Sequence, residues 1–358
     1  MLKPIRITDT APANQLIKLW AARYMPDLTL LPPEKGEFPI AALVECATEA
    51  GRQQTVERVK RLLKLNCQIA GLETNSLFSY IPNIVNLAQA RHLALYVEQV
   101  YGTVLDVYLN QPPPSRYLRF IDVSSELFSK LALSTLMLPT ITQLAEAVEP
   151  ALVQLQEQHL QSHDRRAIGF MTTQFHFSTR EVLKQLTPCE QVLLTPYLTF
   201  VEEQVCIPWQ RVCAAASNYL TGSPIFNLVE QMLPKSREIA ESVYREAAAL
   251  YGNSCSRRGP FRDPEIAAST MRDLTMFQGY LWLCVLENDM AAIEQELLPL
   301  CQAVFPTVGV SWALVESVLR LLIREIHARV KPTQMSLLSP YTRSLQEIFA
   351  TTISKELV

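Results

Sequence analysis

The sequence predicts an all-α fold, a multi-helix array or bundle, and points to two related helical units in its C-terminal two thirds. Three observations carry this. Apolar residues recur at three- and four-residue spacing, as in Val56, Val59, Leu62, Leu63 and Ile69, while no long stretch alternates with period two. Glycine is scarce and proline abundant, ten against 23 in 358 residues, so the chain lacks the flexible positive-φ turns that hairpins use. Proline also marks helix starts: Thr195-Pro196, Asp263-Pro264 and Ser339-Pro340 each place a side-chain oxygen at the cap and proline at the first helical position, where a missing N–H is harmless.

The elements follow in order. An N-terminal helical module, 1–110, holds helices at 12–25, 39–50, 53–70 and 82–101, with Gly51 and Gly102 as C-terminal stops and a Pro-Pro-Glu-Lys-Gly loop near 31–38. Three consecutive prolines, 112–114, resist helix and sheet alike and mark the boundary to a first unit, 117–252. That unit carries helices at 123–138, 140–162, 170–186, 188–194, 196–220 and 225–251, stopped at Gly252, with a kink near Cys206 where Pro208 removes a backbone bond. An Arg-rich loop, 253–263, leads to a second unit, 264–358, with helices at 264–287, 289–304, 311–330 and 340–356.

The two units echo each other. A shift of 144 residues sets Arg180-Glu181 on Arg324-Glu325, Pro188 on Pro332, and Leu193-Leu194-Thr195-Pro196-Tyr197 on Leu337-Leu338-Ser339-Pro340-Tyr341. Either capped amphipathic helices coincide by chance, or 123–216 and 268–358 are two copies packed around a pseudo-dyad.

Composition excludes several function classes. A net charge of −3 argues against an electrostatic grip on nucleic acid or anionic lipid by the whole molecule. The eight cysteines are scattered without a CxxC pair, which reads as reduced thiols in a cytoplasmic protein, and the N-terminus lacks the apolar core of a secretory signal. The uncharged stretch 297–315 contains Pro299, Pro306 and Gly309, so two helices and a turn explain it better than a membrane span. No GxSxG and no glycine-rich phosphate loop is present, so no catalytic residue and no cofactor is assigned. His159 and His163 lie four apart near Glu157 and Asp164. Two imidazoles fall short of a closed metal site, however, and protonated histidines near a helix C-terminus explain them better.

The segment 195–216, TPYLTFVEEQVCIPWQRVCAAA, is the most distinctive. Around the expected kink it gathers Tyr197, Phe200, Trp209 and Arg211, a set suited to a partner hot spot or equally to a core bend packed around tryptophan. Arg257, Arg258 and Arg262 crowd the Gly259-Pro260 turn, where they would hold an acidic partner surface or a phosphate, or simply form a charged loop. Arg58, Arg61 and Lys64 share one helix side, a solvated face or a patch for nucleic acid. Together with SYIPNIVNLAQARHLALYVEQ at 79–99, the 195–216 segment resembles uncharacterised all-helical proteins of cyanobacterial type. The resemblance brings no catalytic motif and implies a cytosolic protein with regulatory or photosynthetic partners.

The sequence thus favours a non-enzymatic cytoplasmic adaptor, assembly or regulatory factor that binds another protein through Tyr197, Trp209 and Arg211, with Arg257, Arg258 and Arg262 as further contacts. The alternative is a helical sensor or carrier in which apolar helices such as 274–286, LTMFQGYLWLCVL, line a pocket for a hydrophobic small molecule or tetrapyrrole. A third reading, a nucleic-acid-associated regulator, would require strongly salt-dependent binding.

Overall fold

Small polar side chains followed by proline set many of the helix starts. Thr10 accepts the Ala13 N–H ahead of a helix with Pro12 in its first turn, and Asp263 accepts the Glu265 N–H ahead of Pro264. The computed structural model describes residues 9–26, 31, 40–79, 87–114, 136–160, 166–257 and 259–350. Its helices are α1 (Ala11–Ala21), α2 (Ile40–Ala47), α3 (Glu49–Leu77), α4 (Leu87–Leu109), α5 (Ile141–Leu160), α6 (Arg166–Leu183) and α7 (Pro188–Gln204). They continue with α8 (Trp209–Ala216), α9 (Pro224–Met232), α10 (Ser236–Tyr251), α11 (Pro264–Glu287), α12 (Leu298–Val304, led in by a π-helical turn), α13 (Trp312–Arg329) and α14 (Met335–Ala350). The fold is all-α. Among the described residues strand is confined to a hairpin of β1 (Cys255–Ser256) and β2 (Gly259–Pro260), antiparallel with Cys255 opposite Pro260. No helix among them is long and apolar enough to cross a membrane.

The chain divides into two compact units, one of Tyr24–Ser162 with Phe170–Val205, the other of Met1–Arg23, His163–Gly169 and Cys206–Val358. These divisions differ from the expected boundaries, and Arg52 shows why the triproline run is no linker. Its fully buried guanidinium donates to the carbonyls of Gln111 (3.0 Å), Pro112 (3.1 Å), Leu136 (2.8 Å) and Met137 (3.1 Å), and so pins the end of α4 and the approach to α5 into one core. Four carbonyls and the Tyr108 ring, 5.5 Å away, take the place of a carboxylate partner. In the same unit α3 buries Val56, Val59, Leu63, Cys67 and Ala70, a stripe at the helical spacing, and packs on α4.

Several expected ends move. Gly51 and Gly102 stop nothing. Gly102 lies within α4, while the break falls at Thr48, which caps α3 through the Gly51 N–H. Gly51 is needed there because a Cβ would stand 2.2 Å from the Glu45 carbonyl oxygen. Gly252 does end α10. Of the helix expected over 123–138, residues 123–135 lie outside the described residues, and Leu136-Met137 is a turn.

Pro196 and Pro340 are helix-interior residues, against the expectation that each begins a helix. α7 starts at Pro188, where Thr187 and Glu190 form a reciprocal capping box. An interior proline costs about 3 kcal/mol. Burial of Val192, Leu193, Leu194, Tyr197 and Leu198 around it offsets that cost, at about 1.5–3 kcal/mol per large apolar side chain. The kink expected inside 196–220 is a full break: α7 ends at Gln204 and α8 begins at Trp209, with Ile207-Pro208 between.

In the other unit α11 is buried on every side from Leu274 to Leu286, and α8, α9, α10 and α14 pack on it. Gln278, polar in the midst of this run, donates to the Ser236 carbonyl at 3.0 Å. Gly279 gives Ile207-Pro208 room, since a Cβ there would meet Ile207 Cγ2 at 2.7 Å.

Pro196 and Pro340, 144 residues apart in the sequence echo, both lie inside a helix, α7 and α14 respectively. The tyrosines that follow them are tied differently: Tyr197 Oη donates to the buried Pro139 main-chain carbonyl (2.9 Å), and Tyr341 Oη to the exposed Asn288 side-chain Oδ1 (2.6 Å).

Candidate ligand cavity

The expected partner surface is not a surface. Trp209 is 0% exposed and Tyr197 2%, and the two belong to different compact units. Tyr197 packs beside Tyr108 with ring centroids 6.5 Å apart, and burial pushes its phenol pKa upward. Trp209 opens α8 beneath the Arg23 guanidinium, 4.8 Å from its ring centroid. Arg211 is 11% exposed and grips Glu296 with two bonds of 2.8 and 2.9 Å, with Glu287 at 3.7 Å. Burial alone would lower the Arg211 pKa, but Glu296 and Glu287 reverse that and raise it. These groups are committed internally, so the core-bend reading of the segment holds.

The basic candidates are also partly engaged. Arg58 pairs with Glu190, the capping carboxylate of α7, and Lys60 with Asp106. Hydrogen bonds from Arg58, Thr55 and Thr187 overcome the desolvation of Glu190 and hold its carboxyl below the ordinary range. Arg262 Nε donates to the Ala248 carbonyl and so serves the C-terminal turn of α10. Arg257 is exposed, and Arg258 lies outside the described residues, as do His163 and the side chain of His159. Among the described residues no group of three His, Cys, Asp or Glu is placed to hold a metal. Cys206 and Cys213 are buried, and burial lifts the thiols of Cys67 and Cys284 to about 12, which leaves them protonated and inert.

What the Arg-rich loop builds is one wall of a cavity of about 350 Å³, within the usual size of a small-molecule site. α11 supplies Ile266, Leu274 and Phe277 to it, and α13 supplies Leu314, Val318 and Leu322 at four-residue spacing, so two apolar faces oppose one another. The β1–β2 hairpin closes one side with Phe261, which stacks on Tyr244 (5.5 Å, 25°) and accepts the Tyr244 hydroxyl at its carbonyl (3.1 Å). The segment 305–311 closes another. Arg257 N–H donates to the Val308 carbonyl at 2.8 Å, and Gly309, at φ +76°, brings its backbone against Arg257, where a Cβ would stand 3.0 Å from Arg257 Cγ. Among the described residues the polar side chains that line it are Ser254, Cys255, Ser256, Thr270, Asp273 and Ser311.

Of the pocket expected along 274–286, Leu274 and Phe277 do line this cavity. The remaining walls come from 254–261 and 305–322, which no motif joins to α11. A partial signal existed in the apolar face of 311–330 and in the Gly259-Pro260 and Gly309 turns. No family model, no curated protein and no solved structure matches the chain.

Proposed function

We propose that this chain is a non-enzymatic binding protein, a sensor or carrier, for a hydrophobic small molecule. The supporting observation is the cavity between α11 and α13, apolar on two opposed helix faces and polar at a few convergent groups, the form small-molecule sites usually take. A protein-adaptor role loses its carrier residues with the burial of Tyr197 and Trp209.

Titration with N-phenylnaphthylamine, an uncharged apolar fluorophore, tests the reading. Wild type should show saturable blue-shifted emission at one site per chain. Val318→Trp, which puts an indole into the space between the two helices, should abolish it while the circular dichroism stays helical. Equal fluorescence from both proteins would refute the proposal.

A further inference from the structure

The walls of the cavity differ in what they show a ligand. Three of them carry a phenyl ring: Phe277 on α11, Phe261 just after β2, and Phe305 at the start of the segment that leads into α13. Phe261 stacks on Tyr244 at 5.5 Å and 25°, and Phe277 meets Phe349 at 5.3 Å and 53°, so both rings are fixed by neighbours while they line the space. The fourth wall, α13, is aliphatic, with Leu314, Val318 and Leu322. Rings on three sides and a flat aliphatic fourth suit an aromatic body, which gains from edge and offset ring contacts beyond the area it buries.

The spare hydrogen-bonding capacity lies at one edge. Arg257 N–H on the Val308 carbonyl ties the hairpin to 305–311, and Ser254 stands three residues before Arg257 while Ser311 stands three after Val308. Ser254 is held through its main chain, its N–H on the Tyr251 carbonyl (2.8 Å) and its carbonyl accepting the Phe261 N–H (2.9 Å). Among the described residues its hydroxyl makes no hydrogen bond, so it can both donate and accept. Ser311 Oγ accepts the Leu314 N–H (3.3 Å) and keeps its proton. Thr270, on the α11 wall, spends its proton on the Ile266 carbonyl (2.8 Å). Ser256 and Asp273 are engaged within the protein and are given no part.

Resting on the cavity reading above, we propose that the ligand is a flat aromatic compound carrying a hydroxyl, a phenol-type molecule whose rings lie among Phe261, Phe277 and Phe305 and whose hydroxyl accepts from Ser311 and donates to Ser254. A saturated ring system of the same skeleton loses the aromatic contacts, and a methyl ether loses the proton.

Isothermal titration with 2-naphthol, decahydro-2-naphthol and 2-methoxynaphthalene tests the two features separately. Wild type should bind 2-naphthol about threefold to tenfold more tightly than either relative, the gain of one aromatic pair in the first comparison and of one neutral hydrogen bond in the second. Phe305→Leu should narrow the gap to decahydro-2-naphthol, and Ser254→Ala the gap to 2-methoxynaphthalene. Where a variant does not fold, the wild-type order alone decides. Either relative matching 2-naphthol on wild type, no binding of 2-naphthol, or a gap unchanged in its folded variant overturns the phenol assignment, while saturable binding of N-phenylnaphthylamine keeps the cavity reading intact. Probe that fails to bind wild type, or binds Val318→Trp equally well, overturns both.

Discussion

Trp209 and Arg211 illustrate how the same side chains satisfy two incompatible sequence readings. Tryptophan and arginine are enriched in interface hot spots, and tryptophan also fills cores, so composition alone cannot choose. The choice rests on Glu296, 85 residues along the chain, and on Arg23 near the N-terminus, contacts that no local pattern announces. Because Trp209 is fully enclosed, Trp209→Ala should cost roughly 3–5 kcal/mol through the cavity it leaves. Arg211→Glu should be about as damaging, since it sets a new carboxylate against Glu296 and Glu287 where a buried pair stood. Urea unfolding of both variants checks this. Stabilities within about 0.5 kcal/mol of wild type would place these residues at the surface after all.

At the scale of elements, capping chemistry was legible where nothing upstream competed with it. Asp263-Pro264 starts α11 as the sequence predicts, and Gly252 ends α10. Thr195-Pro196 has the same form but lies eight residues into a helix already nucleated by the Thr187–Glu190 capping box, and a propagating helix carries an interior proline when its faces are buried. The break at Ile207-Pro208 depends on its partner helix as well. Gly279 permits that approach, so Gly279→Ala should lose about 1–3 kcal/mol by overpacking against Ile207, even though alanine is the better helix former. A double-mutant cycle with Ile207→Ala should recover at least about 1 kcal/mol as coupling energy. Strict additivity would mean that the two residues do not touch.

At the scale of the whole molecule, the all-α class was readable because helical periodicity and the shortage of glycine act along the entire chain, whereas the division into units was not. A buried arginine that draws four carbonyls together turns a proline-rich boundary into part of a core, and a unit assembled from both ends of the chain leaves no compositional trace. The cavity is likewise a product of assembly, with walls drawn from 254–261, 266–277 and 305–322. The most direct measurement is methyl NMR of the full chain during titration with N-phenylnaphthylamine. The account predicts saturable shifts at Ile266, Leu274, Leu314, Val318 and Leu322, with no response from the exposed Leu62, Leu65 and Leu72 on α3. Shifts confined to those exposed leucines, or no saturable shift at any methyl, would contradict it.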